Sequence, residues 1–409
     1  MVQIAIIGGG AAGMMAAATV AEQSPEAKVV LIERNKILGQ KVRLSGGGRC
    51  NVTTGFSDMD EILRRYPRGR NFVKHAFYSF PPEKVMEWFE AHGVPLKTEE
   101  DRRVFPQSDK GDDVVGAFEN LYQKLNVQVI LGNGVQSISK VEGKFVIALS
   151  SGDPITADRV LIASGGEARA TGGGYALASS LGHTITPLAP SLNAFVVQES
   201  WVKELAGVSF LSARFKLKGA HDFEFTGPFV FSHRGVTGPA VFSVSSLGAY
   251  ELLKPEVPTR LLVDLLPTLG EPELLQKLQG EMAAHPKKTF ENVMAHLVFK
   301  SVAEVACKEL GIPAEKICAE MPRKDVNRSV AWLKGVPLTV IGRAAGDEFV
   351  TAGGVSLKEV DSKTMESKIC PGLFLAGEVL DVDAFTGGFN LQSAWATGRL
   401  AGKFMAISK

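Results

Sequence analysis

Residues 2–33 constrain this chain more than any other stretch. Residues 2–7, apolar except for Gln3, predict a buried strand, and Gly8-Gly9-Gly10-Ala11-Ala12-Gly13 predicts a tight turn. A helix of small residues follows over 11–23, able to lie close to a sheet, and 28–32 is a second strand ending at Glu33. A β-α-β unit of about 30 residues is half of a doubly wound α/β fold. Gly8 permits the turn, Gly10 lets backbone approach a pyrophosphate, and Gly13 lets the helix pack tightly. The helix N-terminus, from Ala11 and Ala12 onward, offers amide donors and the positive end of its dipole to the phosphates. Glu33, about 20 residues beyond the last glycine, is placed to accept from a ribose 2′-OH. A 2′-phosphate would be repelled there, although Arg34 next door offsets that repulsion. The motif predicts a dinucleotide and leaves FAD and NAD open.

Residues 1–21 carry no charge, as a signal peptide or membrane span would, but Gly8, Gly9, Gly10 and Gly13 interrupt the run where a turn is needed, which argues against both. The 409 residues allow two or three domains, and 45% hydrophobic with 22% charged residues is the usual globular mixture. Lys and Arg (45) nearly cancel Asp and Glu (44), so net charge gives no general attraction to nucleic acid or an anionic membrane. Cys50, Cys307, Cys318 and Cys370 are scattered without a C-x-x-C, which argues against a dithiol or zinc centre and fits a reducing, cytoplasmic setting. Nothing has the spacing of H-E-x-x-H, G-x-S-x-G or a Walker loop.

Further along, 159–163 is another apolar strand running into Ser164-Gly165-Gly166, so two strands ending in glycine-rich turns predict one sheet with a shared ligand edge. Short strands are expected at 127–131, 135–139 and 144–149. From 191 the pattern turns to β-type runs and then to helical runs. Strand character returns at 339–341 and 372–376, ahead of a last helix over 390–407. The expected division is an FAD-binding domain over 1–190 and 338–409, a β-rich insertion over 191–267 and a helical subdomain over 268–337.

FAD rather than NAD rests on the C-terminal segments. Gly377-Glu378 at a strand end can bring backbone and carboxylate to ribityl hydroxyls. The helix opened by Thr386-Gly387-Gly388-Phe389-Asn390-Leu391 can aim its amides at the pyrimidine edge of a flavin. The loop Leu44-Ser45-Gly46-Gly47-Gly48-Arg49-Cys50-Asn51 spends three consecutive glycines, which suits backbone approaching a flat ligand. Arg49 is a candidate for a carbonyl or phosphate, Asn51 for the flavin edge, and Cys50 for the proton donor after hydride transfer, against a simpler role as a buried, inert thiol. Ser45, Val135, Ala163, Ser164 and Gly165 complete the expected cofactor contacts. Weaker candidates are His233-Arg234, facing substrate or merely structural, and Arg64, Arg65, Arg68 and Arg70 around Tyr66, a local RNA or phosphate contact or a solvated loop.

These residues resemble a known family. The segments Ile7-Gly-Gly-Gly-Ala-Ala-Gly13, Ser45-Gly-Gly-Gly-Arg-Cys-Asn51, Val104-Phe-Pro-Gln-Ser108, Gly235-Val-Thr-Gly-Pro239 and Ala376-Gly-Glu-Val-Leu-Asp-Val-Asp383 through Asn390 are similar to those of bacterial YhiN-like flavoproteins, also called the BaiN-like or aminoacetone-oxidase family. The resemblance implies a Rossmann-type FAD domain split in sequence, an inserted β-barrel-like domain, a small helical subdomain and noncovalent FAD. Where relatives carry Arg-Lys this chain has Gln40-Lys41, so only Lys41 carries over as a cofactor contact. It also runs quickly from Gly166 to Thr171-Gly-Gly-Gly-Tyr175, so the substrate does not carry over. Family activities include reduction of enones in bile-acid intermediates, amine oxidation and reduction of a uridine in ribosomal RNA. The expectation is an FAD-dependent oxidoreductase passing hydride through flavin N5 from NAD(P)H to an electron-poor double bond of a small molecule. The alternatives are an oxidase of small amines using O₂, and an RNA-associated flavoprotein acting on ribosomal RNA. Gly172-Gly173-Gly174 lacks an acidic partner, so NAD(P)H is expected to bind only transiently. The oligomeric state is left open.

Overall fold

The computed structural model describes residues 1–166, 173–219, 221–251, 258–344 and 350–407. Thr171 and Gly172, at the head of the shortened segment, lie outside them. The chain forms two compact units, Met1–Pro190 with Val350–Lys409, and Ser191–Phe349.

The first unit is built on a parallel sheet of five strands: β1 (Gln3–Ile7), β2 (Lys28–Ile32), β3 (Gln128–Ile130), β4 (Arg159–Ile162) and β5 (Leu373–Leu375), in the order β5-β4-β1-β2-β3. Ile7 pairs with Ile32 on one side and Ile162 on the other, so the C-terminal ends of the central strands are level. The strands are apolar on both faces, as a covered parallel sheet requires. Helix α1 (Ala11–Gln23) is buried from Ala11 through Ala21. The C-terminal helix α2 (Phe389–Ala406) meets it along a seam of small residues. A Cβ on Gly398 would stand 2.2 Å from the Ala12 carbonyl oxygen, and one on Gly402 2.7 Å from that of Ala16. An antiparallel meander, Val135–Val141, Lys144–Leu149 and Ile155–Ala157, follows β3; its first two strands were expected from the sequence and its third was not.

The second unit holds a closed six-stranded barrel of Phe195–Val197, Gly235–Thr237, Phe223–Ser232, Ser209–Leu217, Thr259–Asp264 and Val336–Arg343, in that spatial order. This corrects the boundary expected at 338. The last strand does not rejoin the first unit. It pairs with both Thr259–Asp264 and Phe195–Val197, and so removes the two open edges the barrel would otherwise carry. Helices Glu271–Ala284, Phe290–Met294, Lys300–Leu310 and Arg323–Lys334 share one apolar core with the barrel, through Leu274, Phe290, Val302 and Leu333 beside Phe215, Phe229 and Leu261. Among the described residues no helix is long and apolar enough to cross a membrane.

Candidate functional site

Three glycine turns leave the ends of adjacent strands β1, β4 and β5 on one edge of the sheet. At the first, Gly8 has φ +110°, and a Cβ there would lie 2.4 Å from the Ala163 carbonyl oxygen. Ala163 in turn donates its N–H to Ile7 at 2.8 Å, which locks the β1 and β4 turns together. A Cβ on Gly13 would fall 1.9 Å from the Gly8 carbonyl oxygen, so α1 must begin hard against the turn. Gly10 is different: nothing lies within 4 Å of a Cβ placed on it, and as N-cap of α1 it supplies no side-chain cap. The first amides of α1, at Ala11 and Ala12, therefore face an open place suited to an anion.

Glu33 is buried and does more than was expected of it. One carboxylate oxygen accepts the Gly9 N–H at 2.6 Å. The other accepts the Asn35 backbone N–H at 2.8 Å and its side-chain amide at 2.6 Å. The carboxylate thus pins the glycine turn, and its remaining lone-pair sites are what a ribose hydroxyl could use. Arg34 is exposed beside it. Val135 opens the meander next to Gly134, where an added Cβ would lie 3.6 Å from the Arg34 Cβ, so Val135 belongs to this end of the edge.

At the second and third turns Ser164 is exposed, Gly165 has φ +79° and Gly377 φ +76°. Gly377 donates to Thr397 Oγ1 at 3.0 Å, and a Cβ on it would meet the Ala12 Cβ at 2.8 Å. The Glu378 carboxylate accepts the Thr351 N–H at 2.9 Å and pairs with Lys41 at 3.2 Å, while Lys41 also donates to the Gly166 carbonyl at 3.1 Å. Lys41 and Glu378, 337 positions apart, thereby clasp the β4 turn between them.

The loop after helix Gln40–Leu44 carries positive φ at Gly46, Gly47, Gly48 and, unusually for a residue with a side chain, Cys50. Gly46 packs against Phe105, but Gly47 and Gly48 are exposed with nothing within 4 Å of an added Cβ. The expected catalytic pair is placed otherwise. Cys50 is wholly buried, and desolvation, opposed by a hydrogen bond with Ser45, pushes its thiol up to about 12. A group this enclosed offers no face to a ligand, which favours the inert alternative. Arg49 is held by Glu99 at 2.7 Å and Asp109 at 3.5 Å, with its guanidinium 3.8 Å above the Phe105 ring; the hydrogen bond to Glu99 does most to raise its already high pKa. These contacts tie the loop to Glu99, Asp109 and Phe105.

Asn51 bridges to α2. Oriented by its partners, its amide accepts the Gly388 N–H at 2.9 Å and donates to the Thr53 carbonyl at 3.0 Å. Gly388 has φ +87° and lies so close that a Cβ would come 2.2 Å from the Thr53 carbonyl oxygen. Asn390 exchanges hydrogen bonds with the backbone of Ala384, at 2.9 and 2.8 Å. Phe389 is buried, its carbonyl accepting from Tyr66, while Leu391 is half-buried. Sequence reasoning missed Gln392, whose amide oxygen accepts from Thr53 at 2.6 Å and whose nitrogen donates to the Phe80 carbonyl at 2.9 Å, and Trp395, which donates to the Val52 carbonyl at 2.9 Å. A glutamine on an otherwise small and apolar helix face was the available signal. Missed as well was the bidentate pairing of Arg68 with the fully buried Asp383.

That pairing breaks up the arginine cluster. Arg68 is part of the fold and Arg65 is tied to Glu61 at 3.2 Å, leaving Arg64 and Arg70 on the surface. His233 and Arg234 are exposed at a hairpin of the second unit.

The gathered residues fit FAD: open backbone at Gly10, Gly47 and Gly48, uncapped starts to α1 and α2, and glycines elsewhere along the edge that no side chain can replace. The family model described as HI0933-like protein Rossmann domain matches residues 2–404. The chain belongs to that family. It is an FAD-dependent oxidoreductase of the HI0933-like type, with the Rossmann-type architecture expected. It is 31% identical over 415 residues to the 3-dehydro-bile acid delta(4,6)-reductase of Clostridium scindens, covering 99% of each chain. It is 28% identical to the ribosomal RNA dihydrouridine synthase of Escherichia coli, covering 96% of this chain and 95% of that one. Among solved structures, the 3-ketosteroid delta1-dehydrogenase of Sterolibacterium denitrificans superposes with a TM-score of 0.54 at 12% identity over the whole of both chains. A flavocytochrome c3 fumarate reductase gives 0.51 at 15% identity, over 99% of this chain and 78% of that one. Both share the fold.

Proposed function

We propose that this HI0933-like protein reduces an electron-poor carbon–carbon double bond in a small molecule, with NAD(P)H as a transient electron donor. Bound FAD would supply two-electron hydride transfer at N5. The amides at the start of α1 and the open backbone at Gly10 would hold its pyrophosphate, and Glu33 its ribose. Ser164, Gly165 and the Gly377-Glu378 turn would flank the chain between the two halves. Gly47, Gly48 and the uncapped start of α2 would meet the flat ring, where oriented amides favour negative charge on the pyrimidine edge. The observation carrying this is the convergence of three glycine turns with the start of α2. The choice of a double bond as acceptor is supported by near-full-length similarity to an enzyme named as a bile-acid reductase. Four free, buried cysteines suit a reducing cytosol.

The test is an anaerobic titration of the purified yellow protein with NADH and then NADPH, following the flavin band near ~450 nm, whose loss reports reduction. Bleaching followed by reoxidation on adding a conjugated enone is expected. Bleaching by a small amine, with neither nucleotide effective, would overturn the proposal in favour of an oxidase.

A second reading, reduction of uridine in ribosomal RNA, is favoured by the exposed face of helix Arg70–Ser79. It presents Arg70, Lys74, His75 and Tyr78 close in sequence to exposed Arg64, with the Lys74 ammonium 5.9 Å from the Tyr78 ring centroid. Binding of ribosomal RNA that survives moderate salt and is lost on replacing Arg64, Arg70 and Lys74 would support it; absence of binding would remove it.

A further inference from the structure

Far along the chain from these residues, in the helical part of the second unit, three potential metal ligands converge. Glu281 and His285 are four residues apart at the C-terminal end of helix Glu271–Ala284, on one face, and the His285 N–H closes the last turn on the Glu281 carbonyl at 3.0 Å. His296 arrives just after helix Phe290–Met294. Its Nδ1 lies 2.7 Å from Glu281 Oε2, and the His285 and His296 rings meet edge to face with centroids 5.2 Å apart. One ligand atom from each of the three residues lies within 4.8 Å of the others.

We propose that Glu281, His285 and His296 bind one borderline transition-metal dication of the zinc class. An ion pair between Glu281 and His296 accounts for two of the residues but not for the second imidazole brought against the first. Two imidazoles and one carboxylate are a donor set for Zn²⁺, and for Ni²⁺ or Cu²⁺ where these are available, and are a poor one for Ca²⁺ or Mg²⁺. Tetrahedral zinc with bonds of ~2.0–2.1 Å keeps its ligands roughly 3.4 Å apart, so the side chains must close by about an ångström, which partly exposed rotamers can do. Lys277 places positive potential at the Glu281 carboxylate that a metal would have to outcompete. His296 also lines an open cavity of about 600 Å³ with Phe210, Leu297, Phe299 and Lys300. With Glu281 and His285 half-buried and His296 exposed, a bound ion would exchange with solvent.

Tag-free, chelator-stripped protein would be titrated with Zn²⁺ by calorimetry and with Co²⁺ by visible absorption. A single equivalent bound, with the d–d bands of a four- or five-coordinate Co²⁺ site, is expected. Stoichiometric binding should vanish in the His285→Ala/His296→Ala double variant and weaken at least tenfold in Glu281→Gln, with far-UV circular dichroism unchanged. Broadening or shifts of the His285 and His296 ring resonances on adding Zn²⁺ to the wild type would locate the ion without any variant. No stoichiometric binding, or an undiminished equivalent in the double variant, would overturn the proposal.

Discussion

At the scale of single residues, the motif side chains hold the backbone in shape. Cys50 is the clearest case: burial raises its thiol to about 12, so almost no thiolate exists at neutral pH. We expect iodoacetamide at pH 8 to leave Cys50 unmodified in the native protein, read by peptide mass spectrometry, and Cys50→Ala to change kcat by less than about threefold, since removing an inert thiol touches no reacting atom. His183 makes a pH prediction. Its side chain is fully buried between Glu359 at 3.1 Å and Ser367 at 2.9 Å, and desolvation lowers its pKa more than Glu359 restores it. A histidine depressed in the folded state contributes stability that is present above its unfolded pKa of about 6.5 and lost as pH falls through the folded value. Between pH 7 and 5 the wild-type Tm should therefore fall faster than that of His183→Gln; parallel curves would show that another group carries the acid sensitivity.

At the scale of elements, the parts of the site are set by close approach. Nothing lies within 4 Å of a Cβ placed on Gly10, so Gly10→Asp should fold; if this turn holds the pyrophosphate as proposed, the variant should purify colourless, its carboxylate repelling the phosphates. Gly398 is the opposite, a position with no room at all. Gly398→Ala must push α2 off the Ala12 carbonyl, and the strain should cost roughly 1–3 kcal/mol in urea unfolding. Arg68→Ala would remove the bidentate partner of the buried Asp383 carboxylate, next to the segment leading into α2, and a loss of ~3–5 kcal/mol is expected by the same measurement. Wild-type stability for either variant would mean that the contact is not made in solution.

At the scale of the whole molecule, the first unit is assembled from both ends of the chain, with residues 191–349 forming a unit between them. If the turns of β1, β4 and β5 hold one cofactor, adding FAD to the apoprotein should raise its Tm, and Gly10→Asp should abolish that rise. The β1-α1-β2 unit, the three glycine turns and the positive-φ loop were legible in residue order because each requirement is local. A turn needs φ above zero, a helix start needs free amides, and a covered strand needs an apolar run. Most of the barrel strands were visible for the same reason. The partner of strand Val336–Arg343 was not, since alternation says that a strand exists but not which edge it will close. Nor could spacing reveal that Lys41 meets Glu378, that Arg68 neutralises Asp383, or that Glu281, His285 and His296 converge. Pairings of this kind depend on where distant backbone is carried by packing, and a side chain's partner, burial and pKa exist only after that packing is complete.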